Sequence, residues 1–302
     1  MNWHLKVAGF KVLSGLPGGT SFYRFAQKHL TGSLRPTQAR VDQKLEVGMQ
    51  YFDWLQKHGH PPAEPTHLDF GAGWHPTVPL LYYCLGMRQQ YLFDLSPLLD
   101  QELVQQTVQM VLSLTQSPKW SQKVLPRTLP PMQGKPWRAY LMELGIEYES
   151  PYDNAWPMVS GRIDIVTSTQ VLLHIPRPVL AECFKRIHDS LKPGGFFLGT
   201  IHLRDLVVCV QPGVSKYNQL RYSNEYWERW MNSSLMSYNR LRAADYKELL
   251  QNAGFQVIGF EIEHGTAADL AELEQVPIAA CFEGYSREEL AAKHLFFAAQ
   301  KQ

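Results

Sequence analysis

The stretch THLDFGAGWHPTVPLLYYCLG, residues 66–86, decides how the chain is read. THLDF has strand character, GAG is a tight turn, and TVPLLYYCLG is an apolar helix ending near Gly86. In a parallel sheet, that order brings bare backbone to a ligand beyond the carboxyl end of the strand. Gly71 and Gly73 permit the turn and leave no side chain between backbone and ligand. Asp94 closes the next apolar run, YLFD, near the spacing of about 20 residues at which an acidic residue meets ribose hydroxyls. A dinucleotide-binding turn carries small residues, whereas here Trp74, His75 and Pro76 crowd the place of a pyrophosphate, and Pro76 has no N–H to donate. The loop therefore suits a nucleoside without pyrophosphate better than NAD, and disfavours a nicotinamide-dependent oxidoreductase. Trp74 and Pro76 also have a plainer reading, as a cover over the core and a helix start.

Outward from this stretch the chain alternates. QQYLFDL reads as a second strand, and PLLDQELVQQTVQMVLSLTQ as a long helix with Pro97 in its first turn. Residues 116–140 hold five prolines and read as an irregular insertion. IEYES, RIDIVTST and FFLGTIHL supply three more strands, and PRPVLAECFKRIHDSL a helix stopped by KPGG. RLRAADYKELLQNAGFQVIGFEIE is a helix ending at Gly254 followed by a strand, and KHLFFAAQK is a last strand that can pair antiparallel. The expected fold is α/β, a seven-stranded, mostly parallel sheet with the last strand antiparallel, sandwiched by helices. Before it, FYRFAQKHL and VDQKLEVGMQYFDWLQKHG place apolar residues three and four apart, and HPPAEP breaks the helix. The expected organisation is an N-terminal helical segment or lid over 1–62 and one domain over 63–302. That domain carries the 116–140 insertion and an acceptor-pocket insertion at 203–242.

Composition narrows the partners. Apolar residues make up 45% of 302 and the formal charge is +1, so a large core is available and no basic bias points to nucleic acid. No run reaches the roughly 18 apolar residues of a membrane span. The start, MNWHLKVAGFKVLSGLPGG, lacks the apolar core of roughly 7–15 residues of a secretory leader, which predicts a cytoplasmic protein. Cys84, Cys183, Cys209 and Cys281 are far apart and form no CxxC pair, so no zinc site or disulfide framework is expected.

Four segments in order carry a family resemblance over roughly residues 64–300: HLDFGAGWH, RIDIVTSTQVLLHI, LKPGGFFLGT and RLRAADYKELLQNAGFQVIGFE. With Asp94, they resemble the class I S-adenosylmethionine-dependent methyltransferases. His75 stands where the family's first motif has its third glycine, and Leu173 where an acidic residue often precedes His174. YNQLRYS and NRLRAADY further resemble a bacterial subgroup of uncharacterised methyltransferases.

The resemblance implies S-adenosyl-L-methionine as cofactor and S-adenosyl-L-homocysteine as product. It implies that Asp69 orients the methionine amine, that Gly71, Ala72 and Gly73 pass beneath the cofactor, that Asp94 meets the ribose, and that Leu95 beside it also contacts the cofactor. Asp153 and Asn154 would meet the adenine, with an ordinary loop carboxylate as the plainer reading of Asp153. Gln170, after the fourth strand, would line the methionine end. Methyl transfer is an in-line displacement that needs alignment and exclusion of water, and a base only if the acceptor carries a proton. His174 and His202 follow strands at the ligand edge and are the candidate bases, each with a structural reading beside it. His75, Tyr217, Arg221, Tyr222, Tyr238 and Arg240 are the candidate acceptor contacts, the arginines suggesting an anionic group. The bland alternative is a cover helix with solvated arginines and core aromatics. The expected activity is methyl transfer to oxygen or nitrogen of a small-molecule acceptor by a monomer or homodimer, with no nucleic acid, membrane or metal. A protein acceptor and a non-catalytic scaffold of the same fold are the alternatives.

Overall fold

A computed structural model of the chain describes residues 11, 15–16, 34–59, 62–121, 126–205, 213–233 and 237–302. The expected helix FYRFAQKHL lies outside the described residues. Helix α1 (Gln38–His58) is capped by Thr37, whose hydroxyl accepts the Arg40 N–H. The strands are β1 (Thr66–Phe70), β2 (Gln89–Phe93), β3 (Ile146–Glu149), β4 (Ile163–Thr169), β5 (Leu191–His202), β6 (Phe255–Glu263) and β7 (His294–Lys301). Between them run α2 (Thr77–Cys84), α3 (Gln101–Thr115), α4 (Trp137–Glu143), α5 (Arg177–Ser190), α6 (Ala243–Asn252), α7 (Ala267–Glu274) and α8 (Arg287–Ala291).

The seven strands form one sheet in the order β3-β2-β1-β4-β5-β7-β6. The chain builds outward from β1 through β2 to β3, then returns to the other side of β1 with β4, and ligands favour that reversal point. Parallel register pairs Asp69 with Leu92 on one side and Thr167 on the other, so the ends of β1, β2 and β4 share one edge. Strand β7 runs antiparallel: Leu203 donates to the Lys293 carbonyl, while Lys301 reaches the Leu191 carbonyl.

Two compact units result. One holds the described residues within Ser33–Thr169, Arg186–Leu198 and Ala299–Gln302, the other those within Gln170–Lys185 and Gly199–Ala298. In the first unit α1 packs on α2 through Gly48, where a Cβ would come 2.9 Å from Leu81. Tyr51, on the same face, reaches the Ser168 carbonyl at 3.2 Å.

Some expected boundaries change; β5, for instance, begins at Leu191 and includes the KPGG expected as a stop. Helix α3 starts after Asp100, not near Pro97, because the Asp100 carboxylate accepts the Leu103 N–H at 3.0 Å and satisfies an amide that would otherwise lack a partner. The 116–140 region is less irregular than its prolines suggest: Pro118–Ser121 forms a helical turn. Helix α4 begins at Trp137, whose N–H is taken by the Gln101 side chain at 2.8 Å. No helix among the described residues is long and apolar enough to cross a membrane.

Candidate active site

In the first unit the glycine turn is locked to the end of β2. Gly71 and Gly73 adopt φ of 89° and 67°, a region that strains residues with a Cβ. The N–H groups of Gly71 and Ala72 both point to the Phe93 carbonyl, at 2.8 and 3.2 Å. Gly73 N–H donates to one oxygen of Asp94 at 2.9 Å, and Ser96 N–H to the other at 3.1 Å. The Asp94 carboxylate is thus held in one orientation beside the turn. Leu95, next to it, is 65% exposed and offers an apolar face.

Asp69 is 6% exposed at the end of β1. Burial pushes its carboxyl up to about 7, against the pull of Lys44. Lys44, missed by sequence reasoning, is a charged neighbour of Asp69. It sits on α1 in the stripe Val41, Lys44, Gly48, Tyr51, Leu55, whose other members are buried. A lone cation inside an apolar 3,4-spaced stripe was the available signal.

His75 turns to α1's side of the unit, with Nε2 2.8 Å from the Leu34 carbonyl. Burial and then Lys44 lower its pKa to about 4, so it is neutral and acts as a tether for the loop. Asp153 and Asn154 are exposed on the turn after β3. Their neighbour Tyr152 stacks on Phe93 with a 4° interplanar angle, and Phe70 and Trp156 complete an aromatic cluster under the turn.

The second unit gathers the other candidates into separate groups. Gln170, at φ 58°, accepts the His202 N–H through Oε1 at 2.6 Å and donates through Nε2 to His294 at 2.9 Å. Its side chain is spent on joining the end of β5 to β7. Burial lowers His202 to about 4, with His294 and Arg204 adding to the effect, so it is neutral near pH 7. His202, Arg204, Leu173 and Tyr238 line a small cleft. His174 donates through Nδ1 to the Ser237 carbonyl at 2.8 Å and packs on Tyr238 with ring centroids 4.9 Å apart. Arg221 is exposed beside a surface hollow that Lys216 and Glu272 also line.

Two expected acceptor contacts are structural in their placement. Tyr217 is 1% exposed and its hydroxyl donates to the Ala291 carbonyl. Arg240, 6% exposed, donates to the Gln219 and Tyr222 carbonyls and to Asn224. Its guanidinium also lies over the Trp227 and Phe282 rings, at 4.7 and 5.0 Å. Three of its five N–H donors, both on Nη1 and one on Nη2, are therefore taken by the protein itself. Tyr222 stacks on Tyr226 at 5.0 Å and supplies its carbonyl to that knot.

A search of curated proteins finds no match. Residues 43–259, more than half of the chain, match the model of a family described as a methyltransferase domain. The chain belongs to this family and is a methyltransferase that uses S-adenosylmethionine. Similar solved structures include a SAM-dependent methyltransferase of Methanosarcina mazei, 14% identical, covering 82% of this chain and 96% of that one at a TM-score of 0.43. A geranyl diphosphate methyltransferase in complex with SAM is 11% identical, covering 88% and 90% at 0.45. The [4+2]-cyclase SpnF is 13% identical, covering 83% and 80% at 0.43. None of these likenesses defines an acceptor for this chain.

The first unit fits the cofactor. A buried carboxyl such as Asp69 has the chemistry to pair with an ammonium group, and a clamped carboxylate such as Asp94 has the chemistry to accept from a diol. When bound, the cofactor supplies an electrophilic methyl group on a sulfonium.

Proposed function

We propose that the protein transfers the methyl group to an oxygen or nitrogen of a small molecule. The observation that carries the cofactor half is the clamp joining Gly71, Ala72, Gly73 and Asp94 beside buried Asp69. In this reading Asp94 takes the ribose hydroxyls, Asp69 takes the methionine amine, and Leu95, Asp153 and Asn154 meet the adenine. The near-neutral charge supports a small acceptor over a nucleic acid.

On the acceptor side, the support for His202 is its neutral ring in a cleft with Tyr238 and Arg204. Arg204 takes over from Arg240 as the cation suited to an anionic acceptor group. His202 receives the acceptor's proton if the accepting atom carries one, and a thioether or tertiary amine would need no base. A second reading, a cofactor-binding protein without turnover, draws on the same ring: a histidine lowered to about 4 is a weak base.

Calorimetric titration with S-adenosylmethionine and S-adenosylhomocysteine, repeated on Asp94→Ala, tests the cofactor half. Loss of charged hydrogen bonds should weaken binding by about 2–3 kcal/mol, roughly 30- to 150-fold. An unchanged affinity would remove Asp94 from the site. Transfer of labelled methyl to members of a small-molecule panel, lost in His202→Ala, separates turnover from binding alone.

A further inference from the structure

Behind Asp69 runs a buried hydrogen-bond chain whose direction can be read atom by atom. Gln90 Nε2 donates to the Pro79 carbonyl at 2.8 Å, which leaves Gln90 Oε1 as the atom facing His67 Nδ1 at 3.0 Å. That oxygen can only accept, so His67 carries its proton on Nδ1. His67 is fully buried and burial lowers its pKa to about 3, so the ring is neutral and Nε2 is bare. Nε2 lies 2.8 Å from Thr167 Oγ1 and accepts a hydrogen bond from that hydroxyl.

The same Oγ1 stands 3.4 Å from an Asp69 carboxyl oxygen. A hydroxyl has one proton, and here the shorter contact claims it. Thr167, the hydroxyl nearest Asp69, therefore presents a lone pair to it. An ionised Asp69 would face that lone pair in a buried site, whereas a protonated one can donate to it.

We propose that Asp69 holds a proton in the cofactor-free protein and releases it to solvent when the cofactor's ammonium group takes its place, so that cofactor binding is linked to loss of one proton. The inference rests on the reading above that Asp69 receives the methionine amine. The Asp69 O–H bond breaks, the proton passes to buffer, and a carboxylate–ammonium pair forms. His67 is then a positioning residue: it acts on the cofactor's amino end through Thr167. Burial independently favours the protonated form, pushing the Asp69 carboxyl up to about 7. The charged groups facing Asp69 are Lys44 from α1, which opposes protonation, and Asp94 from the end of β2, which favours it. Tyr82 from α2 also faces it and stays neutral, burial raising its pKa well above the ordinary value.

The test is titration calorimetry of the full chain with S-adenosylhomocysteine between pH 5.5 and 7.5, in buffers of small and large ionisation enthalpy. That range stays below the ordinary α-amino value of about 7.7–8.0. Near pH 5.5 the expected result is release of about one proton per ligand, with Kd tightening about tenfold per pH unit until it levels near pH 7. Asp69→Asn should abolish the release. His67→Phe with Gln90→Leu frees the Thr167 hydroxyl to donate to Asp69, and should move the levelling point to lower pH. A Kd flat across this range with buffer-independent enthalpy overturns the inference while leaving the cofactor site intact. Absence of binding in a folded protein overturns both. Infrared titration of the free protein gives a second readout: a protonated-carboxyl band persisting at pH 6 and missing in Asp69→Asn is expected. Its absence from the unmodified protein overturns the proposal without reference to binding.

Discussion

Two arginines two residues apart show how a side chain's surroundings settle its work. Arg240 spends three of its donors on two carbonyls and Asn224, while Arg242, 1% exposed, fans onto the carbonyls of Leu203, Glu289, Leu290 and Ala292. From sequence Arg240 reads as a candidate acceptor contact, and Arg242 carries no special signal. Arg242→Lys should destabilise by about 2–4 kcal/mol in urea unfolding, because an ammonium cannot reproduce the planar fan and strands carbonyls in the interior. Lys44 behaves differently, since its charge acts on Asp69. Removing it as Lys44→Met raises the Asp69 pKa further, so cofactor binding at pH 7 should weaken by up to about tenfold. Calorimetry at pH 7 and 8 checks the sign, the loss being smaller at the higher pH.

At the scale of elements, α1 earns its position from one glycine and one tyrosine. A Cβ at Gly48 would come 2.9 Å from Leu81 of α2, and the Tyr82 hydroxyl reaches the Gly48 carbonyl at 3.3 Å. Gly48→Leu should cost about 1–3 kcal/mol through overpacking, despite the better helix propensity of leucine. Because α1 also carries Lys44, the same substitution should weaken cofactor binding, which calorimetry separates from stability. Helix α3 depends on its cap: Asp100→Ala should lower stability by about 1 kcal/mol in thermal unfolding. The Pro97 expectation failed here because a proline permits a helix start, whereas a side-chain acceptor satisfies one.

Across the whole molecule, proton linkage has two opposed parts. His67, His75 and His202 are lowered to about 3, 4 and 4, so the unfolded chain binds their protons first and stability falls as pH drops below about 6.5. Asp69 is raised to about 7, so the folded chain holds that proton and loses this contribution as pH rises from about 4 to 7. The histidines outnumber the carboxyl, and the urea midpoint should fall between pH 6.5 and 4.5. Cofactor should stabilise more at pH 7.5 than at pH 5.5, since binding must expel the Asp69 proton at the lower pH. Thermal shifts at a fixed cofactor concentration give the comparison.

The succession of strands, the glycine turn and the acidic residues at the ends of β1 and β2 are legible in the residues alone. These follow from local rules: alternation and helical spacing of apolar residues, glycine where φ is positive, and a carboxylate at a fixed distance along the chain. Which cations hold carbonyls together, as Arg242 does, emerges from packing. Packing also brought Lys44 to Asp69 and aligned His67, Gln90 and Thr167 from three strands into one directed chain. Neither arrangement is local, because hydrogen-bond direction and burial depend on neighbours that lie 20 to 100 residues away in sequence.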